Sequence, residues 1–312
     1  IGALLEDGDT DLIDGIFCEG NLGTVGIISE ELDINHDIEL DYDDFFDTFH
    51  EYRFGPSLRP RILMETSRGC NRNCNFCSIR HMYGRAFRAF PTARILEDID
   101  EIYYRRKARW IFVSDDNMVL DPQRVITLCD AITARGYRNL NFVVQADCTT
   151  MARNEAMVRA MARAGFVSVF LGIENASPAN LKSAHKGDIL EDSRKAVALC
   201  HEYGIMVMGG MIFGFPNDGE EAIIANYAFL KSVGVDTTYC QILTPYPKTG
   251  VRRELMDADL VTNPHDFTRY NGMWANVRTR HLSAERLHYL YWYHGLNVMG
   301  WWEPSEHIRR QG

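Results

Sequence analysis

The chain has 312 residues, of which 46% are hydrophobic and 24% charged, with a formal net charge of −10. This composition excludes intrinsic disorder for the bulk of the chain, and no run approaches the roughly 18 consecutive apolar residues of a membrane span. No basic stretch followed by an apolar one opens the sequence as a signal peptide would, which fits a cytoplasmic protein.

In chain order, the first feature is electrostatic. Residues 1–60 carry 16 acidic and 2 basic side chains, a balance of −14, whereas residues 61–312 carry 27 and 31, a balance of +4. The whole acidic excess therefore lies in the first fifth, as at a domain boundary. The chain starts at Ile1 rather than Met, and Ile1–Leu5 begins as if mid-element. A fragment that has lost an upstream portion is the expectation.

From residue 61 short apolar runs alternate with amphipathic segments. Strands are expected at Arg61–Glu65, Trp110–Ser114, Asn141–Ala146, Phe166–Ile173, Ile205–Phe213 and Thr237–Leu243. Helices are expected at Ala93–Arg106, Pro122 to about Arg135, Glu155–Ala164, Glu191–Tyr203, Glu220–Val233 and near Val251–Met256, the second opening on a proline suited to a first turn. Near-continuous apolar strands joined by helices read as parallel strands covered by helices. Six such units predict an α/β fold, a partial (β/α)6 TIM-like barrel, with functional residues at the C-terminal ends of its strands. The division expected is 1–60, an acidic N-terminal extension; 61–250, the barrel; and 251–312, a C-terminal helical cap. After Val261 the chain is rich in aromatics such as Tyr270, Trp274, Tyr291 and Trp292. Packing on the barrel explains them, and lining a substrate cavity is the sharper alternative.

There are eight cysteines. Without a signal peptide a disulfide framework is disfavoured, and metal or catalytic use is the better reading. Cys18, Cys129, Cys148, Cys200 and Cys240 sit on apolar segments and read as buried thiols. Cys70, Cys74 and Cys77 instead form C-x3-C-x2-C in a loop just after the first strand. A structural zinc needs four ligands, and His81 is the only further candidate nearby. Three thiolates suit a [4Fe–4S] cluster in which one iron lacks a protein ligand. Arg80, Arg85 and Arg88 follow; they could shield cluster charge, bind an anionic substrate or form a solvated basic loop, and they make no nucleic-acid stripe.

The run Cys70-Asn71-Arg72-Asn73-Cys74-Asn75-Phe76-Cys77 resembles the signature of the radical S-adenosylmethionine (SAM) enzymes, and the resemblance extends over about Arg61 to Gly250. It implies that Cys70, Cys74 and Cys77 hold a [4Fe–4S] cluster whose open iron chelates SAM, which is then cleaved reductively to methionine and a 5′-deoxyadenosyl radical. It implies a SAM site built from Phe76 and from the strand ends. Asp115 and Asp116 would meet the ammonium, although many relatives carry a Gly-Gly-Glu type sequence there. Gln145 ends the third strand beside Asp147, and Glu174, in Gly172-Ile173-Glu174-Asn175, would face the ribose or carboxylate. Gly210, Ile212 and Gly214 would lie along adenine, and Leu243 and Pro245 would close its pocket. An electron donor such as flavodoxin or ferredoxin is implied as partner.

Several further elements resemble the cobalamin-dependent branch of that superfamily: Asp41-Tyr42-Asp43-Asp44-Phe45-Phe46, Met64 to Cys70, Gly172 to Asn175, Phe213 to Pro216, Thr244 to Gly250 and Tyr270 to Met273. In that branch a Rossmann-like cobalamin domain precedes the barrel. Residues 1–60 are too short for one and lack an Asp-x-His-x-x-Gly loop, so Leu4–Phe17 reads as the tail of such a domain, and cobalamin is implied by neighbourhood alone. The expectation is an enzyme that C-methylates a small-molecule or peptide substrate with cobalamin. A cyclase or oxidase without methyl transfer is the alternative. A non-catalytic iron–sulfur or zinc module is the competitor from another class; it leaves the polar strand ends unexplained.

Overall fold

The structure, a computed structural model, describes residues 61–298. The acidic extension 1–60, with its expected domain remnant, Cys18 and linker, lies outside the described residues, as do residues 299–312.

Six strands form one parallel sheet in the order β1 (Arg61–Met64), β4 (Trp110–Val113), β5 (Asn141–Asp147), β6 (Phe166–Glu174), β7 (Met206–Phe213) and β8 (Thr237–Ile242). A small antiparallel pair, β2 (Ser67–Arg68) and β3 (Arg88–Ala89), lies between the first two. The architecture is the α/β partial barrel expected, with an element after each strand: α2 (Thr92–Asp100), α3 (Pro122–Arg135), α4 (Cys148–Arg153) with α5 (Glu155–Ala164), α6 (Pro178–Ser183) with α7 (Leu190–Glu202), α8 (Glu220–Val233) and α9 (Gly250–Asp257). A short α1 (Ile79–Tyr83) follows the cysteine loop, and α10 (Ala284–Val298) packs on α8 and β8.

The strands are apolar on both faces, but the two faces do different things. Phe142, Val144, Val169, Leu171 and Val207 are fully buried beneath the helices. Their neighbours Phe112, Gln145, Phe170, Met208 and Tyr239 point the other way, into an interior cavity. Alternation with period two puts every second residue on each face. The outer layer is held by apolar helix faces: Met157, Val158 and Met161 on α5, and Val125, Leu128 and Ile132 on α3, which pack together. Each such side chain contributes about 1.5–3 kcal/mol by leaving water.

Local chemistry sets the ends. Asp121 caps α3 by accepting from the Arg124 N–H at 3.1 Å, Pro122 begins it, and Gly136 ends it in the left-handed conformation. The segment expected as one helix over 93–106 leaves α-helical geometry at Glu101 and continues as a π-helical turn, Glu101–Arg105. Cys129, Cys148 and Cys200 are buried free thiols and Cys240 is half-buried. Among the described residues no helix is long and apolar enough to cross a membrane.

Candidate active site

The C-terminal ends of the strands converge on a cavity of about 600 Å3. Its floor begins where β1 runs into the cysteine loop. Asp115, at the end of β4, is 1% exposed and accepts from the Thr66 backbone N–H and hydroxyl, each at 2.6 Å, and from the Ser67 hydroxyl. Arg124 donates to the same threonine, to its carbonyl and at 2.8 Å to its hydroxyl. Burial raises the proton affinity of Asp115 against these donors. Asp116, one residue on, points the opposite way, lines the cavity and accepts from the Gly69 N–H at 2.8 Å. Gly69 has a φ of +86°, and a side chain there would collide with the Ala86 carbonyl, so only glycine lets the loop turn over β3.

The loop then presents Cys70, Cys74 and Cys77, all free, half-buried and lining the same cavity. The Cys77 N–H donates to the Cys74 carbonyl at 3.2 Å, which folds C-x2-C into a turn. Burial, reinforced by the neighbouring sulfurs and Glu174, pushes the Cys77 thiol up to about 11. Burial likewise raises Cys74, against the charge of Lys186. Two buried thiols that resist ionisation, Cys74 and Cys77, with Cys70 lining the same cavity, are a poor resting arrangement and a good one for a cationic iron cluster, which would hold all three as thiolates. The donor set fits the [4Fe–4S] group.

The wall beside the cysteines fits a zwitterion. Lys186, from the loop after α6, forms an ion pair with Glu174 at 2.9 Å, with side chains only 15% and 12% exposed. Burial works against the lysine charge, but the Glu174 carboxylate and the Cys74 sulfur outweigh it and hold the ammonium above its ordinary value. Glu174 reaches the cavity from a left-handed backbone, φ +68°, at a point where the register of β6 against β7 slips. Asp147 accepts from Asn117 Nδ2 at 3.0 Å, from the Thr150 N–H at 2.9 Å and from Arg72 at 3.1 Å. Burial pushes its carboxyl up, yet the Asn117 and Thr150 donors and the Arg72 charge together hold it below the ordinary carboxylate range. Because that carboxylate only accepts, Asn117 must turn its Oδ1 away, and this oxygen is buried without a hydrogen-bond partner. A buried lone acceptor, Asp116 and a lysine ammonium, all lining one cavity, match the ammonium and carboxylate of an amino acid.

Of the residues singled out from sequence, the structure brings Cys70, Cys74, Cys77 and Phe76 to the cavity, together with Asp116, Gln145, Glu174, Gly210 and Ile212. The Phe170 ring lies directly over Gly210, in the space a side chain would take. Four others stand elsewhere. Asp115 is turned into the protein, as above. The Gly214 N–H donates to Asp218 at 3.0 Å, the Leu243 N–H to the Phe213 carbonyl at 2.7 Å, and the Pro245 carbonyl accepts from Arg252 at 2.8 Å. None of these three lines the cavity. Sequence reasoning missed Lys186, Asn117 and Arg72. Asn117 was adjacent to a singled-out pair, but Lys186 lies in a turn between two helices and carries no local signal.

Residues 64–230, more than half of the chain, match the family model of the radical SAM superfamily. An uncharacterized methyltransferase of Pyrococcus horikoshii is 28% identical over 228 residues, covering 73% of this chain and 49% of the relative. The bacteriochlorophyllide d C-12(1)-methyltransferase of Chlorobaculum tepidum is 26% identical over 235 residues, covering 72% and 49%. The chain thus spans about half the length of these curated relatives. Among solved structures, the radical SAM methyltransferase TsrM of Kitasatospora setae, with cobalamin and a [4Fe–4S] cluster bound, matches with a TM-score of 0.58 at 17% identity over 73% of this chain and 43% of that one. That similarity concerns the fold.

Proposed function

Because the chain belongs to the radical SAM superfamily, we propose that Cys70, Cys74 and Cys77 hold a [4Fe–4S] cluster with one iron left for SAM, in a protein that C-methylates an apolar, ring-bearing small molecule with the help of cobalamin. When bound, the cluster and SAM supply reductive cleavage to methionine and a 5′-deoxyadenosyl radical, and cobalamin supplies the methyl carrier. The chain's own residues bind, orient and exclude water. Asp116 and Asn117 Oδ1 would accept from the SAM ammonium, Lys186 would pair with the SAM carboxylate, and Glu174 would accept from a ribose hydroxyl. Ile212 and the Phe170 ring, which Gly210 lets lie close against the strand, would give the adenine a flat apolar wall.

One observation carries this reading: three free thiols, a buried cation and a buried unpartnered acceptor share one cavity at the strand ends. The substrate class is supported by the apolar inner faces, where Phe112, Phe170, Met208 and Tyr239 line the same space, and by the pigment named for the Chlorobaculum relative. A non-catalytic iron–sulfur module has no use for such a space. Anaerobic reconstitution of the chain should give about four irons per molecule, and reduction should release 5′-deoxyadenosine from SAM. Retention of the cluster by Cys70→Ala/Cys74→Ala/Cys77→Ala protein, or a reduced cluster that leaves SAM intact, would overturn the proposal.

A further inference from the structure

β8 is the last strand of the sheet, so among the described residues one of its edges meets no other strand. Two stretches of the C-terminal region cover that edge in part. The Ile242 N–H donates to the Gly272 carbonyl at 2.6 Å, and the Tyr291 hydroxyl, on α10, donates to the Cys240 carbonyl at 2.7 Å. Beside these contacts β8, α8 and α10 leave a second cavity, of about 160 Å3.

Every described residue that lines it is uncharged. Tyr227 of α8, buried at its deep side, turns its hydroxyl onto the Tyr291 carbonyl at 3.1 Å. The hydroxyls of both tyrosines are thus spent on backbone carbonyls, and what the pair offers a guest is ring. Burial pushes the Cys240 thiol up to about 12, so it stands there as a neutral, polarisable group. Met273 and Trp292 are exposed and line the cavity where it opens to solvent. An apolar cavity of nearly this size, about 150 Å3, takes up benzene. Tyr239 lines this cavity and the main one alike, and its ring stands edge-on to Phe170 of the main cavity, 6.1 Å between centroids. The two spaces therefore adjoin at one side chain.

We propose that the cavity between β8 and α10 is a side pocket for an apolar, ring-sized group of the substrate, whose reacting part lies in the main cavity, with Tyr239 as the specificity-determining residue between them. The inference rests on the reading of the main cavity above and says where an apolar part of its substrate goes. The size of the space favours a small molecule over a protein partner, since one ring fills it and neither a helix nor a strand would enter. A charged or hydrogen-bonding group is selected against, because it would lose its water there and find the tyrosine hydroxyls already taken. Tyr239 sets how far a rigid framework extends from one space into the other: a bulky side chain passes only what bends or narrows around it, and a small one would admit fused rings.

The test uses the reconstituted full chain and two uncharged probes, fluorobenzene and fluoronaphthalene, followed by fluorine NMR. The parent should bind fluorobenzene. Thr238→Leu, which fills the pocket, should weaken that binding about tenfold or more. Gly295→Ala, whose added methyl comes within 3.0 Å of the Tyr227 hydroxyl, should weaken it about threefold, and it suits a helix should the leucine disturb folding. Fluoronaphthalene needs more room than the pocket has, so Tyr239→Ala should tighten it about tenfold while fluorobenzene changes less. Absent fluorobenzene binding, or binding that neither pocket substitution weakens, would overturn the pocket. Fluoronaphthalene affinity indifferent to Tyr239→Ala would overturn its link to the main cavity. Fluorobenzene bound only by Trp301→Ala/Trp302→Ala protein would make the chain's own end the occupant and overturn the proposal as well. A parent that binds both probes as expected but leaves SAM intact on reduction would instead overturn the radical SAM reading, and with it the substrate as occupant.

Discussion

The chemistry of single residues here is governed by how many like groups share little water. Cys77 is the clearest case, because its thiol is lifted to about 11 by burial and by its neighbours. The metal-free protein should accordingly alkylate slowly at Cys77 at neutral pH, with iodoacetamide labelling followed by mass spectrometry rising toward a midpoint near about 11. The sign for stability follows by linkage. The folded thiol keeps its proton at pH values where the unfolded one has lost it, so this group's contribution is full below the ordinary thiol value and lost as pH climbs through about 11. A labelling midpoint at the ordinary value would show that the thiols are not mutually confined. At this scale sequence reasoning located the thiols and Glu174, because spacing and strand ends carry them. It could not find Lys186, whose role exists only through its 2.9 Å contact with Glu174.

At the scale of elements, the ends of β1 and β4 are locked by one carboxylate. Asp115 satisfies the Thr66 N–H and hydroxyl and the Ser67 hydroxyl, all buried. Asp115→Ala strands those donors, which should cost about 2–4 kcal/mol in urea unfolding and loosen the cysteine loop that follows directly, lowering iron incorporation. Unchanged stability would mean that water takes its place. The adjacent aspartates look alike in sequence, and only the turn at the end of β4 sends one inward and the other to the cavity. The longer elements were legible: Pro122–Arg135, Glu155–Ala164 and Glu220–Val233 have the bounds expected, since each ends before a glycine in left-handed conformation. The short ones were not. α4 and α6 span six residues each, too few for periodicity, and form around side-chain caps from Asp147 and Ser177. The β2–β3 pair depends on contacts between residues 20 and 22 apart, Arg68 with Arg88 and Ser67 with Ala89, which no local pattern encodes.

At the scale of the molecule, the C-terminal segment is fastened to the barrel by polar contacts as well as apolar ones, among them Tyr291 to the Cys240 carbonyl, Arg286 to Glu220 and a cluster around Asp218. Asp218, 2% exposed, accepts from the Gly214 and Phe215 N–H groups at 3.0 Å and from Asn180 at 2.8 Å, while its carbonyl accepts from the Thr279 hydroxyl at 2.7 Å. One residue therefore joins the turn after β7, the start of α6 and the approach to α10. Asp218→Ala should lower stability by about 2–4 kcal/mol, and protease should cut the segment before α10 sooner in the variant than in the parent. Equal digestion rates would show that the other contacts, such as Leu287 against Gly214 and Tyr291 to the Cys240 carbonyl, hold the segment without Asp218.

The slip in register between Gly172 and Glu174 has a consequence for the chain as a heritable object. Ile173, the extra residue, is fully buried, and the left-handed turn after it aims Glu174 inward. Strain of this kind stores about 1 kcal/mol or more and survives only where the surroundings impose it. Deleting the codon for Ile173 would even out the strand and turn the acidic side chain to the other face, but it would also take a fully buried side chain out of the core. The aim of Glu174 and the closure of the core are tied together at that one peptide, so a lineage cannot shed the one in a single in-frame step without disturbing the other.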